Sequence, residues 1–170
     1  SQISTTTSSG QTPESGIEML NPYGGQPYIA ATDLSGNIIW TYTSPTPLGT
    51  AQWYAPKQLS NGDFVALAAV GGEDVLTGPV PPGAANLVRE FDLAGNTIKQ
   101  ITLDQLNAKL ATANYDLTLQ VFSHDVTPLP NGHWLVLAST FKSVVLNNQT
   151  NPTQVLGEAI GDLYTNLNPV

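Results

Sequence analysis

Two kinds of hairpin signal alternate along this 170-residue chain in one fixed order, and that recurrence constrains the fold more than any other feature. The first kind reads Ile29-Ala-Ala-Thr-Asp33-Leu-Ser-Gly36-Asn37-Ile-Ile-Trp40-Thr-Tyr42. It returns as Leu87-Val-Arg-Glu-Phe-Asp92-Leu-Ala-Gly95-Asn96-Thr-Ile98-Lys-Gln-Ile101, and a degraded third copy runs from Glu158 through Asp162 and Asn166 to Val170. In each copy an Asp side chain can bond its own backbone at the turn, and in the first two Gly accepts the positive φ of a tight reversal. The second kind reads Lys57-Gln-Leu59-Ser-Asn61-Gly62-Asp-Phe64-Val-Ala-Leu67 and returns as Thr127-Pro-Leu129-Pro-Asn131-Gly132-His-Trp134-Leu-Val-Leu137. Asn-Gly between apolar runs is a strong hairpin cue.

The spacing turns these signals into a repeat. Asp33 to Asp92 is 59 residues, while Asp92 to Asp162 and Asn61 to Asn131 are each 70. One hairpin of each kind gives four strands, the content of one β-propeller blade. The expectation is an all-β fold of propeller-type four-stranded blades. Residues 17–43 supply the back half of one blade, 55–103 a whole blade and 124–170 an incomplete one, about two and a half to three blades in all. A sandwich with similar turns is the plainer alternative. Closing a ring takes at least about four blades. The chain therefore reads as a fragment, or as a subunit whose open sheet edges need further blades or a homo-oligomer to cover them. The breakers leave one helical candidate, Asp104 to Asn114. It is a short helix near 104–112, with Leu106 and Leu110 four apart and Asp104 placed to cap its N-terminus. Residues 1–16, rich in Ser, Thr, Gln and Gly, read as a flexible lead-in.

Composition removes whole classes of function. The chain has 5 Lys+Arg against 13 Asp+Glu, a net charge of −8. That balance argues against nucleic acid, whose phosphates call for clustered basic side chains, and against a polybasic membrane patch. No apolar run approaches the roughly 20 residues of a bilayer span, so membrane insertion is not expected. The absence of Cys excludes disulfides, thiolate nucleophiles and Cys-based zinc sites. No P-loop, dinucleotide glycine motif, G-x-S-x-G elbow or H-E-x-x-H occurs. Asp33, Asp92 and Asp162 lack the dense spacing of a calcium loop. Neither cofactor nor metal is expected. Asn148-Gln-Thr150 is a glycosylation sequon, meaningful only in a secretory eukaryote.

The residues with room for chemistry precede the Asn-Gly hairpins, on loops that enter the innermost strands. Aligned by the 70-residue offset, Trp53-Tyr54-Ala55-Pro56 stands against Ser123-His124-Asp125-Val126. His124 is the leading candidate, because an imidazole can serve as base, nucleophile or anion-binding group near neutral pH. The bland reading is a histidine bonded to a neighbouring blade. Asp125 is expected to point to the opposite strand face and to bond loop backbone. Tyr54, set opposite His124, could stack on or donate to an aromatic ligand, or simply pack between blades. His133 and its counterpart Asp63 read as exposed turn positions without a role. Arg89, and with it Lys57, sits within the repeat units, and Arg89 reads as an exposed strand charge. Trp40, Trp53 and Trp134 read as packing groups.

On these residues the chain resembles the bacterial arylsulfotransferases. Ala31-Thr-Asp-Leu-Ser-Gly-Asn-Ile-Ile-Trp40-Thr-Tyr looks like their opening blade segment. Phe122-Ser-His124-Asp125-Val-Thr-Pro-Leu-Pro-Asn131-Gly132-His-Trp-Leu-Val-Leu looks like their H-D-x-x-x-L-P-N-G-x-x-L-x-L segment. Val155-Leu-Gly-Glu-Ala-Ile-Gly-Asp162-Leu and Asn168-Pro-Val170 resemble the segment that follows, so that the resemblance covers roughly residues 12–170. It implies a six-bladed propeller, in the periplasm or outside the cell, that moves a sulfuryl group from a phenolic sulfate ester to a phenol acceptor through a histidine intermediate. It implies that His124 binds the sulfuryl group and that the nucleophile and a sulfuryl-binding arginine belong to blades beyond this chain. Ser123 stands where a first histidine of a His-His pair could have stood. The isolated chain is accordingly expected to be inactive. The rival reading is a non-catalytic propeller repeat protein, an extracellular assembly or binding module. A propeller that takes a quinone or a sugar is a third.

Overall fold

The computed structural model describes residues 4, 6, 8–10, 12, 14–22, 26–70, 84–145 and 151–169. Its strands form three antiparallel sheets, each a meander in chain order. The first holds β1 (Glu18–Leu20), β2 (Tyr28–Thr32) and β3 (Ile38–Thr43). The second holds β4 (Gln52–Gln58), β5 (Phe64–Ala69), β6 (Leu87–Phe91) and β7 (Thr97–Thr102). The third holds β8 (Leu119–Pro128), β9 (Trp134–Val144) and β10 (Thr153–Leu163). Past β10 the chain reverses, and Pro169 bridges back to Leu163. Among the described residues no sheet closes on itself. The sequon at 148–150 lies outside the described residues, as does part of the 1–16 segment; the described positions of that segment are exposed and carry neither strand nor helix.

The two kinds of hairpin share a single turn. At Asp33 the backbone N–H donates to Asn37 O, and Gly36 N–H donates back to Asp33 O, both at 3.0 Å. The same pair of bonds recurs at Leu59, Asp92, Leu129 and Tyr164. The fourth residue has positive φ every time: Gly36 at 83°, Gly62 at 93°, Gly95 at 87°, Gly132 at 83° and Leu167 at 62°. This is a three-residue loop closed by a left-handed residue, for which Gly is the unstrained choice. The third Asp-type turn therefore pivots on Tyr164 rather than Asp162. Asp162 lies two residues earlier, within β10. The registration by Asp162 fails because Leu167 takes the place of the glycine. Its side chain is buried in the core, at 7 % exposure, and that burial offsets the left-handed backbone.

Packing explains the runs between the turns. β5 reads Phe-Val-Ala-Leu-Ala-Ala and is buried along its whole length. Alternate residues serve opposite faces. Phe64, Ala66 and Ala68 meet Ile29 and Tyr42 of the first sheet, together with Trp53 and Phe91. Val65 and Leu67 meet Phe122, Val126, Trp134 and Val136 of the third. The second sheet is thus filled on both sides, which is why β5 shows no polar alternation. Tyr42 and Phe91 stack with centroids 3.8 Å apart. Full burial of Phe91 contributes roughly 1.5–3 kcal/mol. Trp53 and Trp134 are buried as expected, and Trp40 is half-buried.

Polar links span both seams. Trp40 Nε1 of the first sheet donates to Leu93 O of the second at 2.9 Å. Arg89, expected on the surface, is 1 % exposed. Its guanidinium donates to Gln100 Oε1 (2.7 Å), Tyr42 Oη (3.1 Å), Ser44 Oγ (2.7 Å) and Thr46 Oγ1 (2.9 Å), and it lies 5.6 Å from the Trp53 ring centroid. The hydroxyls that receive it belong to β3 and the turn after it, so Arg89 is a staple between sheets. The alternation with Val88 misleads because β6, like β5, is buried on both faces. Lys99 lies 4.2 Å from the Trp134 ring centroid and 3.2 Å from the buried Glu90 carboxylate.

The one helix among the described residues, α1 (Leu103–Thr112), lies between β7 and β8 and buries Leu103, Leu106 and Leu110. It is capped by Thr102, not by Asp104. Thr102 Oγ1 accepts from Gln105 N at 3.2 Å, while Gln105 Oε1 accepts from Thr102 N at 2.9 Å. This reciprocal capping box satisfies two donors that Asp104, already inside the first turn, cannot reach.

Candidate functional site

β4 and β8, the first strands of the second and third sheets, each carry a bulge before the Asn-Gly turn. In β4 the register slips between Tyr54, opposite Leu67, and Lys57, opposite Val65. In β8 it slips between Phe122, opposite Ala138, and Val126, opposite Val136. Ser123, His124 and Asp125 thus face the single residue Leu137. A bulge re-aims side chains and turns the strand out of its regular pleat.

Each bulge contains a non-glycine residue in the left-handed region: Ala55 at φ 48° and His124 at φ 57°. Counting back from the cross-strand partners pairs Phe122 with Trp53, since Ala138 and Ala68 are equivalent. His124 therefore corresponds to Ala55, and Tyr54 to Ser123. The 70-residue offset holds beyond the bulges and drops to 69 before them, because β8 carries one residue more. Tyr54 is half-buried and packs against the core between the second and third sheets.

His124 is exposed, and among the described residues its side chain makes no hydrogen bond or ion pair with another. Its neighbours in the chain are both tied down. Asp125 Oδ2 receives Lys57 Nζ at 2.7 Å, and Lys57 also reaches Thr127 Oγ1 at 3.3 Å. The partner of Asp125 is thus a side chain of the adjacent sheet, not the loop backbone expected for it. Its second oxygen, Oδ1, is buried without a hydrogen-bond partner among the described residues. On the other side, the buried Ser123 donates to Glu158 Oε2 at 2.8 Å. Glu158 Oε1 accepts from Ser139 Oγ at the same distance, 2.8 Å. The imidazole thus stands exposed on a left-handed backbone between two anchored neighbours.

The second histidine, by contrast, is engaged by neighbouring side chains. His133 Nδ1 lies 3.0 Å from Asp162 Oδ1, and its ring meets the Tyr164 ring edge-on at 4.7 Å. Its side chain is 18 % exposed, which corrects the reading of an exposed turn position. The cause is the third turn, which brings Tyr164 and Asp162 against the Asn131-Gly132 turn.

Sequence reasoning gives no role to Lys57 or Glu158. A signal for Lys57 is nonetheless present: it and Thr127 hold the same place, 70 residues apart, ahead of matching turns. Neighbouring first strands bring such places together. Nothing in the sequence marks Glu158, which reaches Ser123 across β9. A cleft of about 370 Å³ opens at the turn end of the second and third sheets, above Trp134 and Lys99, and neither His124 nor Tyr54 lines it. Among the described residues no helix is long and apolar enough to cross a membrane.

A comparison with curated proteins finds no match. The family model described as Arylsulfotransferase (ASST) matches residues 3–155, which take in the first two sheets, both bulges and the larger part of the third sheet. That span is most of the chain, and it supports arylsulfotransferase-like function in general terms. The chain belongs to the arylsulfotransferase (ASST) family.

Proposed function

We propose that the three sheets are adjoining blades of a β-propeller. They cover residues 17–43, 55–103 and 124–170, after a flexible segment at 1–16. In this reading His124 binds the sulfuryl group during its transfer from a phenolic sulfate ester to a phenol acceptor. Sequential meanders stacked face to face support the radial arrangement. The family match supports the substrates. The observation that carries the role of His124 is its backbone: an exposed imidazole, unbonded among the described residues and held at φ 57°. Strain of this kind persists where the surroundings impose it, and it concentrates at functional sites.

The chemistry proceeds in two displacements. A histidine nitrogen bonds to sulfur while the ester S–O bond breaks, and the donor phenolate leaves and takes up a proton. The acceptor phenol oxygen then attacks sulfur, gives up its proton, and the N–S bond breaks. Negative charge gathers on the non-bridging oxygens in both steps, so a fixed N–H donor from His124 lowers both barriers. The nucleophile is assigned to a further blade, because His133 is committed to Asp162. Tyr54, packed beside the bulge of β4, is assigned to the wall of the acceptor site. The compartment that fits this reading is the periplasm or the cell exterior.

Transfer from a fluorogenic aryl sulfate to phenol tests the proposal in the enzyme that contains this chain. His124→Ala is expected to lower turnover by roughly 100-fold, the scale of one lost oxyanion donor, with an unchanged unfolding transition. Full turnover in His124→Ala rejects the role.

A further inference from the structure

We propose that Lys57 and Glu158 are positioning residues for His124, two jaws of a clamp that forces the β8 bulge to present the imidazole; this rests on the sulfuryl-binding reading of His124. The three bulge residues face one residue of β9, so the backbone has slack to absorb. Phe122 and Val126, at either end, are buried at 1 % and 0 % exposure and hold the strand in the core. Between them Glu158 fixes Ser123, and Lys57 fixes Asp125. Only His124 remains, and it takes the left-handed conformation, as its equivalent Ala55 does in the β4 bulge, at the cost a Cβ carries there.

The two jaws come from different places. Glu158 stands on β10, on the far side of β9 from Ser123, and its other oxygen is occupied by Ser139. Lys57 stands on β4, in the neighbouring sheet. The aim of His124 is thereby coupled to the seam between the second and third sheets. A shift of that seam moves Lys57, then Asp125, then the imidazole.

The test uses Lys57→Met and Lys57→Arg in the enzyme that contains this chain, with His124→Ala in parallel. Misplacing a binding group by about 1 Å lowers turnover by as much as roughly 100-fold. Lys57→Met is expected to lower kcat by roughly 10-fold or more with little change in KM, and Lys57→Arg to recover most of it. By NMR, the strong intraresidue amide–Hα NOE of a left-handed His124 is expected to weaken in Lys57→Met. Loss of activity in His124→Ala with full kcat and an unchanged NOE in Lys57→Met overturns the clamp and leaves the role of His124 standing. Unchanged turnover in His124→Ala removes the sulfuryl-binding reading instead, and the NOE then decides the clamp alone. Should Lys57→Met fail to fold, Glu158→Ala on the exposed strand reads the other jaw by the same two measurements, and no change in either overturns the proposal.

Discussion

Single residues decide how this chain spends its few charges. Arg89 is buried among neutral oxygens and joins two sheets, while Lys57 crosses the other seam. The aspartates of the turns act locally. Asp33 Oδ1 accepts from Ser35 N and Asn37 N, and Asp92 repeats the arrangement with Asn96. Bonds from the Asn37 and Asn96 side chains, followed by those from their backbone N–H groups, hold both carboxyls below the ordinary aspartate value of 3.8. The folded state therefore favours the ionised form. The stability this supplies is present above pH 3.8 and is lost as pH falls through the lower folded value. Asp33→Asn with Asp92→Asn keeps the turn acceptor but removes the charge. The urea midpoint of the double variant is expected to lie below that of the native chain at neutral pH, with the gap closing as the pH drops below 3.8. A gap that stays constant down to acid would show that ionisation contributes nothing.

At the scale of elements, one turn serves five times, and its left-handed fourth position can be probed by a matched pair. Gly62 has φ 93° and open space where a Cβ would go, whereas at Gly132, with φ 83°, a Cβ would sit 3.0 Å from Thr165 Cγ2. Gly62→Ala is expected to cost about 1–2 kcal/mol, the left-handed penalty alone. Gly132→Ala is expected to cost more, since Thr165 must also give way; equal losses in chemical denaturation would refute the added clash. These hairpins are legible because Gly and Asn state their backbone needs in the sequence. The short helix is legible too, through Leu106 and Leu110. Its cap is not, because Thr102 and Asp104 are both good caps and only the reciprocal bond with Gln105 separates them. Tyr164 stays hidden because Leu167 replaces the expected glycine for a tertiary reason, its burial against the third sheet. The site is half legible. His124 stands out by residue type, but its alignment with Tyr54 fails because an inserted bulge residue leaves no mark in a pattern read by fixed offset.

At the scale of the molecule, the sheets stack so that the middle one has no free face, and the strained histidine lies on the first strand of the sheet packed against it. In the proposed role of His124, stability and function make opposite demands at that residue. The five turns meet this demand with glycine at four and with burial at Leu167, whereas Ala55, Asn114 and His124 keep an unburied side chain in the left-handed region. At His124 neither remedy is used, since the side chain is exposed and unbonded among the described residues. The most direct measurement is therefore the unfolding free energy and the sulfuryl-transfer rate of one variant, His124→Gly, in the enzyme that contains this chain. Glycine accepts φ 57° without the Cβ penalty, and after its larger entropy loss the net gain is about 0.5–1 kcal/mol. The predicted result is a more stable protein that transfers at least roughly 100-fold more slowly. A less stable protein that transfers at the native rate contradicts the account.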